Sequence, residues 1–330
     1  MPQIRRDPFT NEEVVIVVER SKRPSHWLTK DNYKDDTYRK SNNCFFCRGN
    51  ESSTPPESFR INDMDGDWIV RSFPNKFPIF SPNSRVVQER EGLFDVTNGT
   101  GTHEVIVEHY KHDKNFFNMS VEEFKYMILA YRERYTVLYN EPFTQYVSLF
   151  KNYLKEAGAS INHPHSQIIS LPIVSNKVMM ELHNCKRFYD DRGESLHEVV
   201  IREEKKRGDR VILESDSFIV ITPFASKYKY ETEIIYKKDD LFQSIPKSTI
   251  GELSEVFFNL FNRYRKVLGI FPFNLILHGH PKSMEDIFYK WHFHIVPRLS
   301  YHAGFELSTG VYVNDVLPEE AAKQLVSSDI

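Results

Sequence analysis

The chain has few cysteines, almost no net charge and no long apolar run. Its three cysteines among 330 residues are too few for a disulfide framework. A formal net charge of −3 provides no bulk attraction for nucleic acid or an anionic membrane. No stretch approaches the roughly 20 apolar residues of a membrane span, and the first residues lack the apolar core of a signal peptide. We therefore expect a cytoplasmic protein that has neither nucleic acid nor a membrane as a partner.

A repeated order of elements is the main organising feature of the chain. Each half has a strand, further antiparallel strands, a long helix and a strand with the motif His-x-His, which lies at 163–165 and 292–294. This repetition predicts an α+β fold built by duplication, with a first module at 1–172 and a second at 173–330. We expect an antiparallel sheet and a long helix in each module, and one extended sheet as their common core.

Two long amphipathic helices are predicted from periodic apolar residues. In the first half, Ser120 and Glu123 have the spacing of a capping box, and apolar residues recur at helical spacing from 124 to 138. In the second half the same spacing runs from 253 to 268. Both apolar faces are expected to lie in the core, so neither is assigned a function.

The most informative segment is His163-Pro-His165-Ser-Gln167, which is followed by the apolar residues of a buried strand. In extended backbone, residues two apart share a face, so His163, His165 and Gln167 are expected to point the same way. A histidine paired with the backbone is the ordinary structural interpretation of one such residue. Two imidazoles and an amide on one face favour chemistry, because buried polar groups are costly unless they are paired.

A pair of cysteines spaced three apart, Cys44 and Cys47, has the geometry of half a zinc site. A redox pair uses the same spacing, but the expected helix and sheet context is missing around it. His112 and His163 are the candidates for the two remaining ligands, although His112 alone also fits an ordinary surface loop. Four protein ligands would leave no position for water, so the predicted site is structural.

His165 remains as the reactive imidazole of the motif. A neutral imidazole near pH 7 can attack phosphorus and form a nucleotidyl-histidine intermediate, which divides one difficult transfer into two easier steps. The amide of Gln167 would donate hydrogen bonds to phosphoryl oxygens as negative charge accumulates there. Because an amide is no general acid, the arrangement favours a leaving group that needs no proton, such as a sugar phosphate.

The combination of His-Pro-His-x-Gln with an upstream Cys-x-x-Cys resembles the galactose-1-phosphate uridylyltransferase family, whose members carry a duplicated histidine-triad module. The resemblance covers nearly the whole chain, and the order of its segments is more specific than any single one. Besides the two motifs, the matching segments are 5–11, 19–24, 73–78, 102–108 and 304–314.

The resemblance implies a two-step transfer in which UDP-glucose gives UMP to His165, glucose 1-phosphate leaves, and galactose 1-phosphate then takes the UMP. It also implies that Cys44, Cys47, His112 and His163 bind zinc. The residues that match nucleotide-binding and phosphate-binding positions are Arg20, Arg23, Asn75, Asn152, Ser160 and Gln167. Forked guanidinium donors suit phosphate, but without the resemblance Arg20 and Arg23 would equally be part of a solvated charged run.

The chain departs from many family members at Ser166, where they have glycine. This form is similar to a branch that includes ADP-glucose phosphorylase, but the second Cys-x-x-Cys of that branch is missing at 193–198. Another family arrangement for a second metal, iron or zinc, uses one glutamate and three histidines. The residues at matching positions are Glu181, His278, His292 and His294. The alternative is that His292 and His294 are remnants of the duplication without a metal.

Three classes of function remain open from the sequence. They are a nucleotidyltransferase for a nucleotide sugar and a hexose 1-phosphate, a hydrolase or phosphorylase for a nucleotide sugar or dinucleotide, and a binding protein that keeps the zinc. An intact His165 favours the first two classes over the third. The resemblance further implies a homodimer, in which the segment 304–314 reaches the partner's site and Asn314 contacts the sugar phosphate.

Overall fold

The computed structural model describes residues 1–22, 44–82, 85–282 and 288–328. The strands in these ranges are β1 (Gln3–Arg6), β2 (Glu13–Ile16), β3 (Phe59–Asn62), β4 (Trp68–Pro74), β5 (Gln88–Glu91), β6 (Phe94–Thr97), β7 (His103–Val107), β8 (Tyr146–Tyr153), β9 (His165–Leu171), β10 (Val211–Glu214), β11 (Phe218–Ile221), β12 (Thr232–Tyr236), β13 (Phe273–His278), β14 (His292–Pro297) and β15 (Tyr312–Asn314). The helices are α1 (Val121–Tyr139), α2 (Asn176–Arg192), α3 (Leu196–Arg207), α4 (Lys247–Leu268), α5 (Gly304–Thr309) and α6 (Pro318–Ser327). None of the helices in the described ranges is long and apolar enough to cross a membrane.

A ten-stranded sheet forms the centre of the molecule, in the order β10-β11-β12-β14-β13-β8-β9-β7-β4-β3. Its neighbouring strands are all antiparallel. The first half of the chain contributes β3-β4-β7-β9-β8, and the second half contributes the corresponding order β10-β11-β12-β14-β13. The two halves meet where β8 pairs with β13. The predicted α+β fold with one extended antiparallel sheet is confirmed, while the boundary between 172 and 173 stays a prediction.

The two long helices α1 and α4 pack together on one face of this sheet and enclose the main core. The capping box at Ser120 is formed, because its hydroxyl accepts from the Glu123 amide and the Glu123 carboxylate accepts from the Ser120 amide. The rings of Phe124 on α1 and Phe257 on α4 stack with centroids 5.8 Å apart. Fully burying each such side chain contributes about 1.5–3 kcal/mol.

Because strand residues alternate in direction, the opposite face of the sheet is available for polar groups. Ile168 on β9 is fully buried in the core beneath the helices. Its neighbour Gln167 and, two residues earlier, His165 point to the other face. The same alternation on β14 places Phe293 in the core and leaves His292 and His294 on the polar face. Both His-x-His pairs therefore lie on one side of a single sheet.

The N-terminal strands lie on the second half of the chain. Strand β2 pairs with β1 and also, in parallel, with β15, where Val14 is opposite Tyr312. The guanidinium of Arg5 donates to the Glu319 carboxylate of α6 at 2.9 Å. The turn after β1 is held by Asp7, whose carboxylate accepts from backbone amides two and three residues on.

Candidate active site and metal centres

The side chain of His165 is held at the start of β9 by the backbone of His163, two residues earlier. Its Nδ1 lies 2.8 Å from the carbonyl oxygen of His163 and donates to it, so the lone pair of the neutral ring is on Nε2. Burial, followed by the charge of Lys151, lowers the pKa of His165 below its ordinary value of 6.5. The imidazole is therefore neutral at pH 7, which is the nucleophilic form.

A cleft with a volume of about 420 Å³ opens beside His165 and Gln167. This volume is in the range of ordinary ligand pockets. Its aromatic wall is formed by Phe45, Phe46, Phe73 and Phe77. Its polar lining includes Ser53, Thr54, Asn75, Lys76 and Ser160. The aromatic wall can therefore pack against a ring system, and the polar lining can bind a phosphate group.

Four of the predicted ligands converge next to this cleft. The ligand atoms of Cys44, Cys47, His112 and His163 all lie within 4.8 Å of one another. The Nδ1 atom of His163 is 3.6 Å from the sulfur of Cys44 and 3.5 Å from that of Cys47. The Nδ1 atom of His112 is 3.5 Å from the Cys47 sulfur. Two sulfurs and two imidazole nitrogens form a donor set that fits a tetrahedral metal ion.

The surroundings of this cluster, which we name the Cys/His cluster, also fit a metal. The second ring nitrogen of His163, Nε2, lies 2.7 Å from the carbonyl oxygen of His109 and donates to it, which turns Nδ1 toward the sulfurs. Burial lowers the pKa of His163 to about 3 and lowers that of His112 as well. Both rings are therefore neutral at pH 7, as metal binding requires.

Phe46 connects the Cys/His cluster to the reactive histidine. This residue lies between Cys44 and Cys47 in the chain, and it is 7% exposed. Its ring meets that of His163 edge-on at 6.2 Å and that of His165 at 5.4 Å. The loop that carries the cysteines therefore also forms part of the wall beside His165.

A second group of ligands, the Glu/His cluster, forms on the same sheet face in the second half. Its members are Glu181, His278, His292 and His294, whose ligand atoms lie within 4.8 Å of one another. The carboxylate of Glu181 comes from α2 and is 3.0 Å from Nδ1 of His278 on β13 and 4.0 Å from Nε2 of His292 on β14. One carboxylate and three imidazoles form a donor set that fits iron or zinc.

Outer contacts orient the Glu/His cluster. Nδ1 of His292 donates to the carbonyl oxygen of Lys290 at 2.9 Å, which leaves Nε2 for a metal. Nδ1 of His294 lies 3.4 Å from the Glu233 carboxylate, while its buried Nε2 has no hydrogen-bond partner among the residues that the structure describes. A carboxylate behind a ligating histidine is the usual outer arrangement of a metal site. The unpaired Nε2 therefore fits a ligand whose metal would complete its bonding.

Only some of the other predicted binding residues lie at or near the cleft. Asn75 and Ser160 line the cleft, and Asn152 lies on the same sheet face, two positions beyond the residue that pairs with Gln167. Arg20 is exposed in a short 3-10 turn at Val18–Lys22 and does not line the cleft. Arg23 lies outside the described residues.

The surroundings of Asn314 bear on its predicted role. Its side chain is 2% exposed, and its Nδ2 donates to the carbonyl oxygens of Ser226 at 2.9 Å and Tyr228 at 3.1 Å. Its Oδ1 accepts from the amide of Val316. These bonds within one chain occupy both donors of the amide and one lone pair of its oxygen, and the contact with a sugar phosphate in a partner's site stays a prediction.

A buried charged network behind His165 was not expected from the sequence. The ammonium group of Lys151 is 2.6 Å from the Glu108 carboxylate and donates to the carbonyl oxygen of His165 at 3.1 Å. The hydroxyls of Ser166 and Tyr131 donate to the other oxygen of Glu108. Ser166 therefore belongs to the helix side of the sheet and does not face the cleft. A lysine among apolar strand residues was the available signal for this network.

Comparison with known proteins places these features in a family. Residues 1–175 match the family model described as the N-terminal domain of galactose-1-phosphate uridyl transferase. The chain belongs to this family. Residues 98–329 also match a model described as a domain of unknown function, DUF4921.

Full-length relatives extend the galactose-1-phosphate uridyl transferase family assignment to the whole chain. ADP-glucose phosphorylase from Arabidopsis thaliana is 31% identical over 328 residues, which cover 98% of this chain and 92% of the relative. Galactose-1-phosphate uridylyltransferase from Thermotoga maritima is 24% identical over 342 residues, covering 100% and 99%. The crystal structure of the Arabidopsis ADP-glucose phosphorylase with bound ADP-glucose superposes with a TM-score of 0.84 at 29% identity, covering 99% and 98%. Membership of this family supports a nucleotidyltransferase enzyme.

Proposed function

We propose that the protein transfers a nucleoside monophosphate from a nucleotide sugar to a phosphate acceptor through a covalent intermediate on His165. The observation that carries this proposal is the 2.8 Å contact between Nδ1 of His165 and its neighbour's carbonyl oxygen. It leaves Nε2 with a lone pair at the cleft, beside Gln167. A neutral, buried and oriented imidazole is a suitable nucleophile toward phosphorus.

The proposed first step forms one bond and breaks one bond. Nε2 of His165 attacks the α-phosphorus of the nucleotide sugar, and the bond from this phosphorus to the bridging oxygen breaks. The hexose 1-phosphate leaves with the electron pair, and because its phosphate is already an anion it needs no proton. In the second step an acceptor phosphate oxygen attacks the same phosphorus, the nitrogen–phosphorus bond breaks, and His165 is restored. Gln167 would donate to the phosphoryl oxygens in both steps.

For the substrates, we propose UDP-glucose as the donor and galactose 1-phosphate as the acceptor, as in the uridylyltransferase relatives. The second candidate is an ADP-glucose phosphorylase reaction, in which inorganic phosphate takes AMP from the enzyme and gives ADP. It is favoured by the 31% identity with the Arabidopsis enzyme. The two candidates share the first step and differ in the base and the acceptor.

We further propose zinc at the Cys/His cluster, and iron or zinc at the Glu/His cluster. Each cluster has its four ligand atoms within 4.8 Å, and neither is assigned a reaction step. A metal at the first cluster would fix the loop with Phe46, which packs against His165. The metals would therefore act by holding the walls of the site in place.

A homodimer is also proposed, and exposed apolar side chains support it. On helix α5 and just before it, Tyr301, Phe305 and Leu307 are 60%, 50% and 80% exposed. On the hairpin of β5 and β6, Leu93 and Phe94 are 92% and 74% exposed. Contiguous apolar surfaces commonly mark protein interfaces, and we propose that these side chains contribute to one. Sedimentation of the wild type and of Leu307→Asp tests the proposal, which requires a dimer that the substitution weakens.

The deciding experiment for the reaction omits the acceptor. The protein is incubated with UDP-glucose or with ADP-glucose, intact mass reports nucleotidyl-protein, and released glucose 1-phosphate is measured. We expect a mass increase of one UMP or one AMP that is absent in His165→Gly. Galactose 1-phosphate or inorganic phosphate is then added to the isolated intermediate. Glucose 1-phosphate release without any labelled protein would reject the covalent mechanism.

A further inference from the structure

A chain of hydrogen bonds runs from a backbone amide beside the cleft to the side chain of Gln167. The amide of Ile79 donates to Nδ1 of His103 at 3.1 Å. Nε2 of His103 lies 2.9 Å from Oε1 of Gln167. His103 is on β7, two residues before Val105, which pairs with Gln167 on β9. The two side chains are therefore diagonal neighbours on one face of the sheet, a distance that long side chains bridge.

The backbone amide at one end of this series of hydrogen bonds fixes the donor and the acceptor of each bond in the series. A backbone N–H can only donate, so Nδ1 of His103 must accept, and its single ring proton must be on Nε2. Burial lowers the pKa of His103, which keeps the ring neutral with one N–H at pH 7. Nε2 therefore donates, and the atom of Gln167 that faces it must be the amide oxygen.

Asn75 reinforces the same orientation from a second backbone amide. Its Oδ1 accepts from the amide of Phe77 at 2.9 Å, so its Nδ2 faces the other way. This Nδ2 lies 3.5 Å from Oε1 of Gln167. Two donors, each oriented by a separate backbone N–H, thus converge on one oxygen. The NH₂ group of Gln167 is left for the cleft.

We propose that His103 is a positioning residue that fixes the amide of Gln167 with its two N–H groups toward the phosphoryl group of the bound nucleotide. The inference rests on the proposed function, in which that group lies beside His165. A Gln167 amide rotated by half a turn would present its oxygen to the phosphoryl oxygens, which would repel them. His103 excludes this state, because its N–H would then meet the NH₂ group of Gln167.

A double-mutant cycle separates this role from a general structural one. The variants are His103→Leu, Gln167→Ala and the double variant, and the measured rate is that of nucleotidyl-protein formation from ADP-glucose or UDP-glucose. Removing a donor to a developing charge costs about 100-fold for Gln167→Ala. We expect about a tenfold loss for His103→Leu, and no further loss when it is added to Gln167→Ala, because residues that act through each other are not additive. Equal losses in both backgrounds would overturn the proposal.

The conservative variant His103→Gln gives an independent readout. A glutamine can offer an N–H to Oε1 of Gln167, so we expect it to restore most of the rate lost in His103→Leu. Thermal unfolding of all variants is measured in parallel. If His103→Gln restored stability without restoring the rate, the orientation role would be rejected.

A binding measurement tests the positioning role of His103 independently of the covalent reaction. AMP and UMP are titrated into His165→Gly protein that carries the same three combinations of substitutions. We expect His103→Leu to weaken the binding of the monophosphate by about tenfold only when Gln167 is present. Absence of nucleotidyl-protein in the wild type together with this binding pattern would reject the proposed reaction and retain the positioning role. An effect of His103→Leu that persists in Gln167→Ala would reject the positioning role even if the reaction is observed.

Discussion

Asn152 and Asn274 face each other across the line where the two halves of the sheet join, and Nδ2 of Asn274 donates to Oδ1 of Asn152 at 2.8 Å. Nδ2 of Asn274 also donates to the carbonyl oxygen of Ala157 at 2.9 Å. Because the oxygen of Asn152 is engaged by this donor, its NH₂ group is the part that remains for another partner. A residue of the second half thus sets the orientation of a predicted phosphate-binding residue of the first.

The substitution Asn274→Asp tests this relationship. A carboxylate cannot donate to Oδ1 of Asn152, so the Asn152 amide is expected to rotate and donate to the new carboxylate instead. We expect the KM for the nucleotide sugar to rise by about tenfold, since a hydrogen bond to an anionic group is lost and a negative charge is added. Steady-state kinetics measure the change. An unchanged KM with reduced stability would show that Asn274 only supports the fold.

The substitution His165→Gly is expected to abolish transfer while the protein still unfolds cooperatively. The ring is the proposed nucleophile, so the rate falls by roughly a thousandfold or more. The exposed His183 on α2 provides a matched control, and His183→Ala is expected to leave activity unchanged. Activity assays and thermal unfolding are compared for both variants. Loss of cooperative unfolding in His165→Gly would instead indicate a structural role.

The substitution Ser166→Gly is expected to change stability and not substrate choice. The Ser166 hydroxyl lies on the helix side of the sheet, where it donates to Glu108 and lies 2.6 Å from the Tyr131 hydroxyl. Removing a buried donor from a charged acceptor costs about 1–3 kcal/mol of unfolding free energy. Urea unfolding measures this loss, and the ratio of kcat/KM for ADP-glucose and UDP-glucose is measured alongside. A shift in that ratio would contradict the assignment.

The carboxylate of Glu123 provides a prediction about pH. Burial by itself raises its pKa, but hydrogen bonds from His109, Lys114 and the Ser120 backbone outweigh burial and lower the pKa well below 4.5. A group with a lowered pKa in the folded state contributes stability above its unfolded pKa and loses it as the pH falls. We therefore expect Glu123→Gln to cost about 1–2 kcal/mol at pH 7, and less below about pH 4.5. The neighbouring, exposed Glu122→Gln serves as the control, and equal effects in both variants would contradict the prediction.

Metal content provides a prediction that is independent of catalysis. We expect elemental analysis to find about two transition-metal ions per chain, one for each cluster. Cys47→Ser and Glu181→Gln should each remove about one of them. Chelation should lower the unfolding temperature, because the binding free energy of a structural metal is also folding free energy. Freshly purified protein without any transition metal would contradict both assignments.

The sequence was sufficient to predict those features that repeat along the chain or that depend on a fixed spacing of residues. The capping box and apolar period predicted helix α1, and the repeated His-x-His strands predicted the two halves of the sheet. The chemistry of a half zinc site suggested His112 and His163 as further ligands of the Cys44 and Cys47 pair, and the resemblance implied the complete set, because a known ligand set specifies partners that spacing alone does not. The structure brings the same residues together.

The sequence was insufficient where the outcome depends on strand register. The contact of His103 with Gln167 follows from the pairing of β7 with β9, which local pattern does not reveal. For Asn314, which is predicted to contact a substrate, the structure shows hydrogen bonds to the carbonyl oxygens of Ser226 and Tyr228 that the local sequence pattern does not reveal. An asparagine in a small-residue segment has the same local pattern in both situations.

The parallel pairing of β2 with β15 has a consequence for how this enzyme matures. Because Val14 is opposite Tyr312, strand β2 acquires its second partner, β15, only after nearly the whole described chain has left the ribosome. The turn between β1 and β2 contributes Asp7, Phe9 and Thr10 to a small cavity that also includes Glu181 and His294. Contacts between such distant residues form slowly, since the loop between them must first be closed. The Glu/His cluster is therefore expected to be enclosed last, which leaves its ligands open to metal during synthesis.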